Sequence, residues 1–431
     1  MADRTHVVNA LTSLVLPNGN GWFPAVHVAM YGIDKDQKPG GSNPISSVEL
    51  AQYLAIATPT HCADGWSYLS RALYSYLLGD AHSAWHFAYY AELRAAQSIL
   101  SSLGCGAFDK WNCVLDYSGQ IQDAGKGPTH SMVWLALSYL AQSSTSSAGI
   151  SIAAATSILG STAPEIIQFA YPGRNPTTIS SGWICEWLFD LETSGADKGF
   201  RNRCSYDPHI ATPHRAHLSE SIELVLALWN VLEPSPNAAF QELDKQLLRS
   251  ALKKEAVASL KLHSGGMHPN NADLKTELRA AYARILASSP TFSAVSEDYI
   301  CDVLADDHPI LFHARDDSST PDTPRPVLAR ATLLLRVATG MTKNLLSDAR
   351  KNLHIDFWLN ELAIRQGIVG SIVKIPEDRA DLYWDCLIAA EDIEKQFHSG
   401  ATSLAELSEH RQFKPMLVAQ AERIIQWGFA S

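Results

Sequence analysis

From residue 47 onward, apolar residues recur at intervals of three and four, and the strict alternation of a half-buried strand is scarce. The pattern predicts an all-α chain. A first helix is expected over 47–57, with Pro59 marking its end. Asp64 is placed to cap a second helix running to about 78, with Trp66, Leu69, Leu73 and Leu77 on one face. Gly79 then makes a tight turn, and Asp80 caps a long helix reaching residue 103. The stretch 104–128 reads as irregular, with a short extended piece around Trp111, Val114 and Leu115. Further helices are expected at 131–142, 150–159, 164–169, 184–191, 219–232, 238–262, 271–287, 293–304, 327–346, 354–365, 379–396 and 413–427. The first 45 residues are rich in Gly, Pro and Asn, and short extended pieces are expected there at 14–16 and 22–30.

A chain of 431 residues exceeds one ordinary core. The most linker-like run, RDDSSTPDTPRP at 315–326, separates a C-terminal stretch from the rest. The expected organisation is a multi-helix bundle in two lobes: an irregular N-terminal segment (1–46), a main bundle (47–233), a middle helical region (234–314) and a C-terminal lobe (327–431).

The long helix carries the most chemical stripe in the chain. His82, His86, Tyr90, Arg94 and Gln97 step by four, four, four and three along one side of a helix whose other positions are mainly Ala, Leu, Trp and Tyr. Such groups need partners when buried. They form either a buried network or the wall of a site. His82 and His86 could share a metal with His61 or His130 as third ligand, but Ser83 stands where a zinc-hydrolase motif needs glutamate. The expectation is therefore a hydrogen-bonded network through His86, Tyr90 and Arg94, with no metal and no cofactor.

A net charge of −11 opposes unassisted, non-specific binding of nucleic acid, leaving only a local basic pocket, for which Arg201, Arg203, Arg325, Arg330 and Arg336 are candidates. Seven scattered cysteines without any CxxC argue against a disulfide framework or a thiolate zinc site. No signal-peptide pattern or membrane-length apolar run is present, so a cytoplasmic location and no membrane are expected.

Three other clusters carry potential chemistry. In RNRCSYDPH, Arg203 could hold a phosphate while His209 moves a proton, with Tyr206 nearby; alternatively Arg201 and Asn202 clamp a loop against the bundle. In HIATPHRAH, His209, His214 and His217 could approach a metal, although Pro213 and Arg215 oppose it. Asp381 and Asp385, four apart, could collect a divalent ion or simply line a solvated face. Nucleotide-motor, dinucleotide and serine-hydrolase motifs are absent from the sequence.

The blocks WHFAYYAELRAAQSIL (85–100), GPTHSMVWLAL (127–137) and RNRCSYDPH (201–209) resemble the HEPN superfamily of helical bundles, associated with prokaryotic antiviral defence and toxin–antitoxin systems. The resemblance implies a dimerising bundle. In active members it implies an arginine and a histidine that cut RNA without metal, here Arg203 and His209. Cys204 follows Arg203 where the family favours a polar residue, and Pro208 disturbs the helix. The expected function is a scaffold or partner-binding component of a defence system, with a protein partner or homodimer, and RNA as a further candidate partner. The alternative is a metal-independent ribonuclease using Arg203, His209 and Tyr206. In either case His82, His86, Tyr90, Arg94, His130, Arg201 and Asn202 supply a supporting polar network.

Overall fold

The computed structural model describes residues 2–14, 28–108, 111–142, 152–188, 199–205, 217–235, 239–316, 323–351, 355–400 and 415–429. Helices dominate, and the multi-helix bundle expected from the periodicity is what forms. Helix α1 (Arg4–Ser13) starts where the Asp3 carboxylate accepts the Thr5 N–H, a helix that the Gly- and Pro-rich composition of this region concealed. The proposed extended pieces at 14–16 and 22–30 fall mostly outside the described residues; Val28–Met30 is a 3₁₀ turn.

Helix α2 (Ser47–Leu77) opens with a capping box in which Ser46 and Glu49 exchange side-chain and backbone bonds. It runs straight through Pro59, so the two helices expected on either side of that proline are one. Proline removes a backbone donor, and the side chains around it satisfy neighbouring carbonyls. Thr58 donates to the Leu54 carbonyl (2.9 Å), Thr60 to that of Ile56 (2.9 Å), and Ser98 of the next helix to that of Thr58 (2.8 Å). Burial of this segment offsets the cost of an interior proline, about 3 kcal/mol. Gly79, at φ +79°, turns the chain, and the Asp80 carboxylate accepts the Ser83 N–H (3.0 Å) to start α3 (Ala81–Ser102).

After α3 comes an antiparallel meander, where an irregular stretch was expected. Its strands are β1 (Cys105–Phe108), β2 (Trp111–Leu115) and β3 (Ile121–Gly125), paired in chain order. Trp111, Cys113 and Leu115 alternate into the core, whereas β3 is almost wholly exposed and offers no apolar alternation, and the register shift opposite Asn112/Cys113 leaves Ala124 as its extra residue. Then follow α4 (Thr129–Gln142), α5 (Ile152–Ala155), the hairpin β4 (Ser157–Ile158) and β5 (Ser161–Thr162), α6 (Ala163–Ala170), α7 (Pro176–Leu188) and the helical residues 199–205, here α8. Next are α9 (Leu218–Val231), α10 (Gln241–His263), α11 (Asn271–Ser288), α12 (Glu297–Ile300), α13 (Pro309–Ala314), α14 (Arg325–Asp348), α15 (Asp356–Arg365) and α16 (Asp381–His398). The expected helix at 293–304 is instead a 3₁₀ turn, Pro290–Ala294, and the single turn of α12. The expected terminal helix is broken into α17 (Pro415–Val418), a 3₁₀ turn and α18 (Ile424–Gly428).

Buried apolar side chains from Val7 to Phe429 form one contiguous cluster, and α2, α3 and α14 lie at its centre. Helix α14 is buried nearly all round. Two of its arginines, considered for a basic pocket, are structural instead. Arg336 grips Asp244 of α10 through two bonds (2.7 and 2.8 Å). Asp244 also accepts the N–H of Leu159, held at φ +51° in the β4–β5 turn (3.0 Å). Arg330 pairs with buried Glu92 of α3 (3.4 Å). A charge enclosed by apolar helices is tolerated only with such partners. The Trp66 indole N–H donates to Thr339 (2.9 Å), tying α2 to the same helix.

The three central helices meet tightly at Gly65. A Cβ there would stand 2.6 Å from Leu335 Cδ2, 3.3 Å from the Ala91 carbonyl oxygen and 3.4 Å from Arg94 Cβ. Alanine is the better helix former by about 1 kcal/mol, but overpacking costs about 1–3 kcal/mol. Gly65→Ala is therefore expected to lower the urea-unfolding midpoint; an unchanged or raised midpoint would show that the helices have room to separate.

Candidate functional site

Helix α2 carries a polar stripe matching the one on α3. His61, Asp64, Tyr68 and Arg71 step by three, four and three, so they share a face. The antiparallel turn at Gly79 sets this face against Tyr90, Arg94 and Gln97. Tyr68 stacks on Tyr90 (centroids 5.4 Å apart), with the Arg71 guanidinium 5.5 Å from the Tyr68 ring centre. Arg94 Nη1 donates towards His61 Nδ1 (3.2 Å) and to Gln97 Oε1 (3.1 Å), and its Nε lies 3.8 Å from the Asp64 carboxylate.

One turn towards the start of α3, α4 and α8 complete the cluster. His130, at the start of α4, stacks on Tyr89 (5.8 Å), with its Nδ1 3.1 Å from the Tyr89 hydroxyl, and meets Tyr90 edge-on (6.1 Å). Arg201 of α8 is only 7% exposed, and its guanidinium lies 5.3 Å from the Tyr89 ring centre and 5.6 Å from that of Tyr90. A desolvated cation on an aromatic face contributes roughly 2 kcal/mol. Arg201 Nε is buried without a hydrogen-bond acceptor among the described residues. Arg201 thus contacts the bundle from a helix, against aromatic rings, while Asn202, paired with it in the loop clamp considered from the sequence, is exposed.

His86 joins the same helix. Its Nδ1 lies 2.7 Å from Ser205 Oγ, and that hydroxyl donates its hydrogen to the Arg201 carbonyl (2.8 Å). Having spent its proton, Ser205 accepts at His86, which places the imidazole hydrogen on Nδ1 and leaves Nε2 as a bare lone pair. Burial, aided by the Arg201 charge, pushes the His86 pKa below its ordinary value and keeps the ring neutral. Burial, with Arg94 beside it, takes His61 down to about 3. Burial also pushes the Tyr89 hydroxyl up, so it stays protonated.

The other candidates lie elsewhere. His82 is buried at the start of α3. Asn202 and Arg203 are exposed on α8, with the Arg203 guanidinium 4.2 Å from the ring centre of Phe200, which stacks in turn on Trp85 (5.4 Å). Tyr206, His209 and His214 lie outside the described residues, and His217 precedes α9 as its N-cap residue. Arg325 pairs with Glu220 (3.5 Å). Asp385, considered with Asp381 for a cation, pairs instead with Arg423 (3.0 Å). Among the described residues no group of three or more His, Cys, Asp or Glu side chains converges to hold a metal. No described helix is long and apolar enough to cross a membrane. Tyr68, Arg71 and Tyr89 were not singled out from the sequence; the matching three–four step on α2 was the available signal for the first two.

Compared with protein-family models, curated proteins and solved structures, the chain matches none of them.

Because the folded pKa of His61 is depressed, its contribution to stability is whole above the unfolded value of 6.5 and is lost as pH falls from there towards about 3. Glutamine at this position still offers Arg94 an acceptor but cannot be protonated. The urea midpoint of the parent is expected to drop between pH 7 and pH 5, and that of His61→Gln to drop less. Equal drops would show that His61 is not held neutral by the fold.

Proposed function

We propose that the protein is a helical partner-binding scaffold of the HEPN-like type, serving a prokaryotic antiviral defence system. The supporting observation is the use made of the chemical side chains. Arg201 is enclosed by Tyr89 and Tyr90, His86 is bonded to Ser205, and His130 is stacked on Tyr89. These groups hold α8 and α4 onto α3 and so fix the surface presented to a partner. The side chains these helices leave exposed include Asn202 and Arg203 on α8, and the apolar pair Leu135 and Tyr139 one turn apart on α4. An exposed apolar pair of this kind suits a protein partner or a second copy of the chain.

One observation favours the alternative, a metal-independent ribonuclease. His86 keeps an unprotonated Nε2 near a guanidinium, which is the equipment for taking a proton from a 2′-hydroxyl beside a bound phosphate. In that reading Arg203 and His209 act with His86. Labelled single-stranded RNA incubated with excess chelator separates the two. The scaffold reading expects no cleavage above background for the parent, His86→Ala or His209→Ala. Chelator-resistant cleavage by the parent that is lost in His209→Ala would replace the scaffold with the nuclease.

A further inference from the structure

Beyond the aromatic cluster, where α3 meets the meander, lies a cleft of about 230 Å³. Arg94, His61 and Gln97 line the cleft, Tyr53, Ser101 and Thr129 add hydroxyl residues, and Phe108 adds an apolar one. The hydrogen-bond directions in this lining are set by Arg94. Its Nη1 donates to Gln97 Oε1 and is met by His61 Nδ1. A guanidinium can only donate, so both neighbours have their acceptors consumed and keep donors: the Nε2–H of a neutral imidazole and the amide NH₂ of Gln97. Arg94 Nε is buried with no hydrogen-bond partner, the Asp64 carboxylate standing 3.8 Å off and itself half exposed. Burial keeps the Tyr53 hydroxyl protonated. The cleft therefore combines one fixed cation with a surplus of donors.

We propose that this cleft binds the phosphate group of a small phosphate or phosphate monoester. The donor count favours a phosphate over a carboxylate: a guanidinium, an imidazole N–H, an amide and the hydroxyls of Tyr53, Ser101 and Thr129 outnumber the roughly four lone-pair sites of a carboxylate, whereas the three or four oxygens of a phosphate carry more. The volume decides against a large ligand, since sites for drug-sized molecules begin at roughly 300 Å³. Phe108 receives the organic part of a monoester. The site is independent of the scaffold reading, because nothing in it requires RNA or a protein partner.

Isothermal titration calorimetry on the full chain tests this with inorganic phosphate, phenyl phosphate and benzoate as probes. Phenyl phosphate is expected to bind at least about tenfold more tightly than benzoate, since its additional oxygen accepts a further charge-assisted hydrogen bond. Phosphate binding as tightly as phenyl phosphate would identify the free ion as the occupant; tighter binding of phenyl phosphate would identify the ester. Arg94→Gln is expected to abolish the heat of binding, and Gln97→Ala to weaken it while leaving the far-ultraviolet circular dichroism of the parent. Gln97→Ala keeps the test decisive if Arg94→Gln fails to fold. Equal affinity for benzoate, no heat with either phosphate, or parental affinity in a folded Gln97→Ala would each overturn the proposal.

Discussion

The polar cluster between α2 and α3 depends on how closely these helices approach at Gly65. The absent Cβ lets Leu335 of α14 and the backbone of Ala91 come into contact there. The same approach holds His61 and Tyr68 of α2 against Arg94 and Tyr90 of α3. Spread those helices by the width of a methyl group and the stacked phenols separate, Arg94 loses its imidazole partner, and the cleft beside β1 changes shape. Apolar packing thus sets the geometry of a polar network, which is the usual direction of causation where a close-packed interior leaves few alternative arrangements.

The network in turn governs α8. A helical piece of seven residues, three of them exposed, has little apolar surface of its own to bury. Its attachment relies on Phe200 against Trp85, Arg201 under two phenols, and Ser205 at His86. These contacts explain why a stripe of imidazole, phenol and guanidinium persists on an otherwise apolar helix. The alternative of an apolar stripe would pack as well but would not orient α8, since dispersion contacts are nearly indifferent to small rotations whereas hydrogen bonds and ring faces are not. Two further ion pairs, Arg330 with Glu92 and Arg336 with Asp244, play the same orienting role for α14.

Much of this was legible in the residues. The α3 stripe, the Gly79 turn and the Asp80 cap follow from spacing and local chemistry, and the structure forms them. Pro59 was misleading because its rule is local, while the groups that satisfy the helix around it include Ser98, which is 39 residues further along the chain. The extended piece around Trp111 and Leu115 was legible, but the meander as a whole was hidden because β3 is almost wholly exposed and shows no apolar alternation. Arg330 and Arg336 looked like a basic pocket because their carboxylate partners sit 238 and 92 residues away, and sequence shows charge without showing pairing. The sequence suggested Arg203 as the phosphate-holding arginine; the geometry instead builds Arg201 into the cluster and leaves Arg203 on Phe200.

The central claim is that the α3 stripe clamps α8 through specific contacts. A double-mutant cycle between His86→Ala and Ser205→Ala, read by urea unfolding, tests it most directly. The account expects each single substitution to destabilise the fold and the double to cost less than their sum, with an interaction energy of at least about 0.5 kcal/mol. Strict additivity would contradict it, showing that the stripe and α8 are neighbours without being joined.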